Sequence, residues 1–471
     1  MTNQYTPSSV VSGPPASRWW GCYPELRRDT LGFLLHCQTY GDVVKLPVGR
    51  VVELLLQQRD AAMYLLNHPA DVKHVLVTNQ DNYRKGPIPP VESRIFGQGV
   101  LHAEGDIHHR QRRLFLPFFH KTHVTTYSTF ITGMAQTRVA QWQDGASIDI
   151  GHEMAHLTLS VIWRLLFGEE LRSNAGLIRD TISAGQRLIK IQYDSILACL
   201  IPLWIPLPHH RRFTRGFQII EETVLRCISE RRHRSEPQDD VLSLLLTASD
   251  QDGRPLSDRE IRDELITLLL AGHETTANAL TWTWFLLSQT NSVWERLLSE
   301  LKDVLGDRLP EVADVPHLRY LKMIWDESLR LYPPAWSLHT RLAHKEDRLP
   351  SGAILPSGSW AFISPWNLHR NPRWFPDPTS FDPERFSDEA TRAYLPFSYI
   401  PFGAGRRGCL GESFAELEGL LILATIASKV RLSLIDGQAI HPEPGMTLHP
   451  RTPIEMIVRQ IDLPTSHPII A

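Results

Sequence analysis

The distribution of apolar and polar positions divides the chain into a mixed N-terminal third, a helical middle and a turn-rich C-terminal part. Residues 41–49 (GDVVKLPVG) alternate weakly between apolar and polar positions and end in turn residues, as a strand does. The apolar stretch 51–56 is expected to continue it as the second arm of a hairpin. From about residue 148 to 288 apolar positions recur at helical spacing almost without a break. One proline-punctuated apolar segment, residues 199–208 (CLIPLWIPLP), interrupts them and fits either a packed loop or the apolar lip of a ligand entrance. The longest helix is predicted to start at Ser257, whose hydroxyl can cap while Glu260 reaches back. It ends near Gln289, a length of roughly 50 Å at about 1.5 Å per residue. A helix that crosses a whole domain is apolar nearly all round, and residues 265–271 (LITLLLA) fit that description. Residues 272–276 (GHETT) then place a glycine and polar groups at its centre. Buried polar groups are costly unless paired, so this interruption marks a candidate functional segment.

After about residue 350 the chain is rich in Pro, Gly and Trp, with short strands and turns. A last helix is predicted over 410–428, followed by strand-like pieces at 431–435 and 454–459. There are no internal repeats. A long helix with small sheets woven through both halves argues for one large, mainly α domain over residues 21–471, preceded by a loose polar arm over 1–20.

Composition narrows the function classes. A chain of 471 residues can bury roughly 75% of its unfolded surface. A net charge of −3 gives no field to attract a phosphate backbone, which argues against nucleic acid as a partner. Five cysteines (Cys22, Cys37, Cys199, Cys227, Cys409) lie far apart with no CxxC pair. They form neither a disulfide framework nor a zinc cluster and suit a reducing compartment. The first 17 residues carry no charge and lack the basic start of a signal peptide. No apolar run reaches the ~18 residues of a membrane span. A cytoplasmic protein without a membrane anchor is expected.

The strongest local signal is residues 402–411 (FGAGRRGCLG). Gly403, Gly405 and Gly408 spell GxGxxG, but a dinucleotide fingerprint needs a strand before it. The preceding 395–401 (LPFSYIP) holds two prolines and cannot be a central strand. The alternative centres on Cys409, just before a helix whose dipole favours a thiolate, with Arg407 adding positive charge. The polar interruption raises a second question. HExxH at His273-Glu274 fails because position 277 is Ala.

The segment resembles the haem-binding pattern FxxGxRxCxG of the cytochrome P450 family at all five fixed positions: Phe402, Gly405, Arg407, Cys409 and Gly411. The resemblance implies a mainly α fold with small sheets and a long central helix crossing over the haem. It implies haem b, with Cys409 as the axial thiolate and Arg407 on a propionate; Phe402, Gly403 and Gly411 complete the cysteine loop. Glu274 and Thr275 resemble the family's acid–alcohol pair that relays protons to dioxygen, with Gly272 leaving room for the gas. Glu327 and Arg330 match the ExxR motif, and Arg385 in FDPERF joins them in a structural triad. His108, Arg112 and Arg341 resemble further propionate contacts. Ile95, Ala271, Ala335, Trp336, Leu338 and Met446 are the substrate-lining positions by resemblance, Trp336 narrowing the space above the haem.

The implied activity is insertion of one oxygen atom from O2 into an apolar small molecule of secondary metabolism, by a monomer. Electrons would come from a separate ferredoxin or flavodoxin-like protein with its reductase, docking where Arg406 lies. The rival readings are a peroxide-driven or isomerising haem-thiolate enzyme and a non-catalytic haem sensor.

Overall fold

The structure, a computed structural model, describes residues 11–56, 61–86, 88–120, 124–171, 175–193, 198, 201–205, 207–234, 238–249, 253–391 and 394–461. The helices that build the site are, in chain order, α1 Gly49–Leu56, α2 Pro90–Phe96, α3 Gly105–Phe115, α4 Ser128–Val139, α5 Ile150–Phe167, α6 Ala175–Tyr193 and α7 Pro208–Arg232. They are followed by α8 Asp258–Gln289, α9 Asn291–Leu305, α10 Arg319–Leu331 and α11 Glu412–Ala427. The strands are β1 Val43–Pro47, β2 Ala62–Leu66, β3 Tyr83–Lys85, β4 Ser147–Asp149, β5 Arg341–Ala343, β6 Asp347–Arg348, β7 Ile354–Leu355 and β8 Trp360–Phe362. Near the C-terminus lie β9 Val430–Leu434, β10 Pro442–Pro444, β11 Leu448–Pro450 and β12 Glu455–Gln460.

The central helix α8 begins as its sequence dictates. Ser257 and Glu260 close a reciprocal capping box, with Ser257 N donating to Glu260 Oε2 at 2.9 Å and Glu260 N donating to Ser257 Oγ at 3.3 Å. Every residue from Ile261 to Leu270 is buried. Along its length α8 packs against α5, α7, α10 and α11, so the run Leu265–Leu270, polar only at Thr267, is a packing requirement, while the buried Arg262 and Asp263 pair with each other. The large core it organises includes the fully buried Trp282, Trp284 and Trp325. At the α10–α11 contact, a Cβ on Gly419 would lie 2.5 Å from the Trp325 ring, so only glycine lets these helices approach.

A five-stranded sheet runs in the order β1-β2-β8-β5-β3, parallel between β2 and β8 and otherwise antiparallel. A three-stranded sheet pairs β12 with β4 and β9, and β10–β11 form a small hairpin. The strand expected at 41–49 is β1, but residues 51–56 belong to α1 and the partner of β1 is β2. The sequence VVELLL lacks the two-residue alternation of a strand. The first N–H groups of α1 find outside partners, Arg50 N on Arg18 O at 3.2 Å and Val51 N on Trp19 O at 3.1 Å.

These contacts also correct the expectation of a loose arm over 1–20. Residues 1–10 lie outside the described residues. From Ser12 onward the chain is tied to its neighbours: Lys45 N donates to Ser12 O and Cys22 N to Pro47 O, each at 2.9 Å. In the 199–208 connector, residues 199, 200 and 206 lie outside the described residues, and Trp204 is 81% exposed.

Candidate active site

The site is built where α8 meets the loop before α11. In the middle of a helix otherwise packed into the core, Ala271 is exposed and Thr275 and Asn278 are half-buried. Spacings of four and three put them on one face. A traversing helix exposes such a face only where it lines a cavity. The Thr275 hydroxyl donates to Ala271 O at 2.7 Å, folding back on its own helix. Glu274 is buried and turns elsewhere: its Oε1 accepts from the Thr447 hydroxyl, and Thr447 Oγ1 accepts from Asn278 Nδ2 at 2.9 Å. No hydrogen bond joins Glu274 and Thr275 among the described residues. Burial pushes the Glu274 carboxyl above its ordinary value, and the Thr447 hydroxyl opposes the shift.

Gly272 packs closely against α5. A Cβ there would come 2.9 Å from Ile162 Cδ1 of α5, so its missing side chain serves helix packing.

Cys409 sits on a loop shaped by two left-handed glycines, Gly403 (φ 68°) and Gly405 (φ 69°). Its N–H donates to Phe402 O at 2.9 Å, and Arg112 of α3 donates from Nη1 to Gly408 O at 2.7 Å. Gly411 is the N-cap of α11. Cys409 is exposed, whereas Cys22 and Cys37 are buried. The expected dipole and Arg407 effect does not prevail. Cys409 meets an interior space enclosed by protein rather than bulk water, and this desolvation pushes its thiol up to about 11; Glu412 adds to the shift, and Gly411 N–H and Arg112 oppose it. A thiol at the start of a helix, presented to the cavity in this way, is deprotonated by a metal ion it ligates.

Beside it lies a cluster of cations. His108 is buried, held down to about 3 by burial and by Arg407, Lys85 and Arg112. Arg341 is pushed down to about 10 and Lys85 to about 7, in both cases by burial first and then by Arg407. Lys85 on β3 and Arg341 on β5 stand directly opposite each other in the ladder, where like charges repel. Two carboxylates mix with them: Glu104 pairs with Arg407 at 2.9 Å, and Glu92 lies near Lys85. Arg407 also donates to Ala103 O at 2.6 Å, and Arg341 to His339 O at 2.6 Å. Lys85, Arg112, Arg341 and Arg407, with the neutral His108, outnumber the two carboxylates, and this buried and half-buried surplus of donors fits a flat ligand carrying two carboxylates. It pairs with the one exposed thiol among these loops to fit a porphyrin iron.

Glu327, Arg330 and Arg385 lie together at the end of α10. Arg330 grips Glu327 and also donates to the carbonyls of His369, Pro378 and Ser380, while Arg385 Nε lies 3.4 Å from Glu327 Oε1. Of the lining candidates, Ala335, Leu338 and Met446 are half-buried and Ile95 is buried on α2 against α6. Leu338 lies beside Gly403. Trp336 packs into two small clusters around Phe362 and Leu448, and its indole N–H donates to Gly445 O at 2.9 Å. These contacts make it a brace for the β10–β11 hairpin; the narrowing role expected of it is not among them. Arg406, expected on a free basic surface, is engaged by Asp81 and by His109 at 3.3 Å.

Sequence reasoning missed Lys85, Thr447 and Asn278. Asn278 carried a signal, four residues after Glu274 on the same helix; the other two did not. The buried Glu92 and His102 and the half-buried His339 set their ligand atoms within 4.8 Å of one another. Lys85 and Arg341 beside them make a dication unfavourable there. A groove of about 1220 Å³ opens between α9, α10 and α11 and is lined by none of these residues.

The cytochrome P450 family model matches residues 13–458. The chain belongs to the cytochrome P450 family. It is 36% identical over 430 residues to cyclooctatin synthase of Streptomyces melanosporofaciens, covering 90% of each chain. It is 33% identical to cyclooctat-9-en-7-ol 5-monooxygenase of the same organism, covering 90% of this chain and 88% of that one. Pentalenene oxygenase of Streptomyces avermitilis is 32% identical, with 91% and 92% covered. The crystal structure of a cytochrome P450DA heme domain shares the fold at a TM-score of 0.82 and 22% identity, over 96% of this chain and 98% of that one. This P450 is therefore a haem-thiolate monooxygenase that incorporates oxygen into apolar substrates and takes electrons from a redox partner. Among the described residues, no helix is long and apolar enough to cross a membrane.

Proposed function

We propose that this P450 oxidises a cyclic terpene hydrocarbon, or an alcohol derived from one, as a cytoplasmic monomer carrying haem b. Three relatives named for cyclooctatin, cyclooctat-9-en-7-ol and pentalenene support that substrate class. The observation that carries the reading is the accessible Ala271–Thr275 face in the middle of the buried helix α8, with the exposed Cys409 on the loop before α11.

Cys409 would hold the iron, and Lys85, His108, Arg112, Arg341 and Arg407 would receive the propionates. When bound, such a haem-thiolate centre supplies oxygen activation, its electron-rich sulfur favouring O–O cleavage. The chain's own residues do the rest. Ile95, Ala271, Ala335, Leu338 and Met446 offer an apolar wall that excludes water and orients a hydrocarbon by shape. Thr275 places a hydroxyl on the cavity face, and Glu274 behind it holds a transferable proton in a carboxyl raised by burial. A ferredoxin or flavodoxin-like donor with its reductase would supply electrons.

The test is turnover of cyclic terpenes by the haem-loaded enzyme with a surrogate ferredoxin and reductase under 18O2. One labelled oxygen per product is expected, preceded by a low-spin to high-spin shift on substrate binding. Turnover with peroxide but not with reductant would move the enzyme to the peroxygenase reading. Loss of the thiolate-type ferrous–CO spectrum is expected in Cys409→Ser; its survival would refute the ligand assignment.

A further inference from the structure

We propose that Thr447 is the positioning residue that decides which oxygen of Glu274 carries the proton. Thr447 lies at the tip of the β10–β11 hairpin, and three anchors hold that tip. Trp336 Nε1 donates to Gly445 O at 2.9 Å, Leu448 N to Pro334 O at 2.9 Å, and Trp282 Nε1 to Leu448 O at 3.1 Å. The Thr447 side chain is buried and sits between two residues of α8 one turn apart.

The hydrogen-bond inventory then fixes the direction of the chain. The Asn278 amide nitrogen can only donate, so Thr447 Oγ1 is an acceptor toward it. A hydroxyl has a single proton, and the remaining contact of Thr447 is Glu274 Oε1. Donating that proton to Oε1 satisfies both contacts of Thr447, whereas accepting a proton from Oε1 would leave its buried hydroxyl hydrogen without an acceptor. Oε2 is buried, and the polar side chain that faces the carboxyl besides Thr447 is Gln186 of α6, whose amide oxygen can accept a proton from Oε2. A neutral Glu274 carboxyl therefore carries its proton on Oε2 and keeps Oε1 as the carbonyl oxygen. Burial favours that neutral form. The substrate-side hairpin thereby orients the proton donor of α8, although nothing in the hairpin's sequence marks it as part of the relay.

This inference rests on Glu274 delivering protons in the reaction, and the experiment separates the two. Thr447→Val, Thr447→Ser and Glu274→Gln are prepared as haem-loaded enzymes, with thermal midpoints confirming the fold. Infrared spectra of the resting enzymes read the protonated-carboxyl stretch, assigned to Glu274 by its loss in Glu274→Gln. In Thr447→Val the band should move to higher frequency, because the carbonyl oxygen loses its donor, and Thr447→Ser should restore it. Under reductant-driven turnover, peroxide released per product should rise about five-fold in Thr447→Val, the value of one net hydrogen bond, and return in Thr447→Ser. An unmoved band in Thr447→Val, or no carboxyl band lost in Glu274→Gln, overturns the proposal. So does unchanged coupling in Thr447→Val when Glu274→Gln is uncoupled. Unchanged coupling in Glu274→Gln itself overturns the relay reading, while the infrared shift still decides the Thr447 contact.

Discussion

Arg330 meets Glu327 through two hydrogen bonds, Nε to Oε2 at 2.6 Å and Nη2 to Oε1 at 2.8 Å, with neither side chain exposed. The pair joins α10 to the segment 377–385, because Arg330 also holds Pro378 O and Ser380 O and Glu327 accepts from Asp382 N at 3.0 Å. Glu327→Ala would strand a buried guanidinium, and a loss of about 3–5 kcal/mol is expected in urea unfolding. Arg330→Lys should be nearly as damaging, since an ammonium cannot span the carboxylate and three carbonyls.

Gly405 gives a sharp steric test of the cysteine loop. Its φ is 69°, and a Cβ would lie 1.9 Å from Leu76 O. Gly405→Ala combines a left-handed residue with a backbone collision, so it should cost at least about 1–3 kcal/mol and reduce haem content. In Gly133→Ala on α4 a Cβ meets nothing within 4 Å, and this control should be neutral or stabilising by about 0.5–1 kcal/mol. Equal thermal midpoints for the two variants would contradict this account of the loop.

The cation cluster predicts haem retention. Removing either charge of the facing Lys85–Arg341 pair should weaken propionate binding by roughly ten-fold or more, the value of a hydrogen bond to a charged group. Haem transfer to apomyoglobin from Lys85→Gln and Arg341→Leu measures it. Arg406→Gln, at a side chain engaged by Asp81 and His109, should leave retention unchanged.

Thr275→Ala should separate oxygen activation from substrate binding. The spin shift on adding substrate is expected to persist. Product per reductant should fall toward the about 10²-fold that a positioned proton donor contributes, with peroxide released instead. Undiminished coupling would remove Thr275 from the mechanism.

A pH test concerns Asp347, which accepts from Tyr83 Oη at 2.6 Å, Asn79 Nδ2 at 2.9 Å and His74 Nε2 at 3.1 Å. Burial alone would raise its carboxyl, but the hydrogen bonds from Tyr83, Asn79 and His74 outweigh it and hold the group below its ordinary value. A depressed folded pKa stabilises above the unfolded value near about 4, and the benefit is lost as pH falls through the lower folded value. Asp347→Asn should therefore lower stability by about 1–2 kcal/mol at pH 7. Its gap to the parent should close below about pH 4 in thermal melts at both pH values.

The sequence by itself determined what is local. The Ser257–Glu260 box, the long apolar helix, the Cys409 loop and the Glu327–Arg330 spacing are set by residues within one or two turns of each other, so periodicity and motif reveal them. Tertiary structure decided what depends on partners far along the chain. Residues 51–56 became helix because Arg18 and Trp19 offered carbonyls. Lys85 joined the propionate cluster because β3 pairs with β5, some 256 positions away (341 − 85). Gly272 packs against Ile162, and Trp336 braces a hairpin. Glu274 found its partner in Thr447, 173 positions on, because burying a carboxyl requires a donor wherever the fold brings one, and no local pattern encodes which.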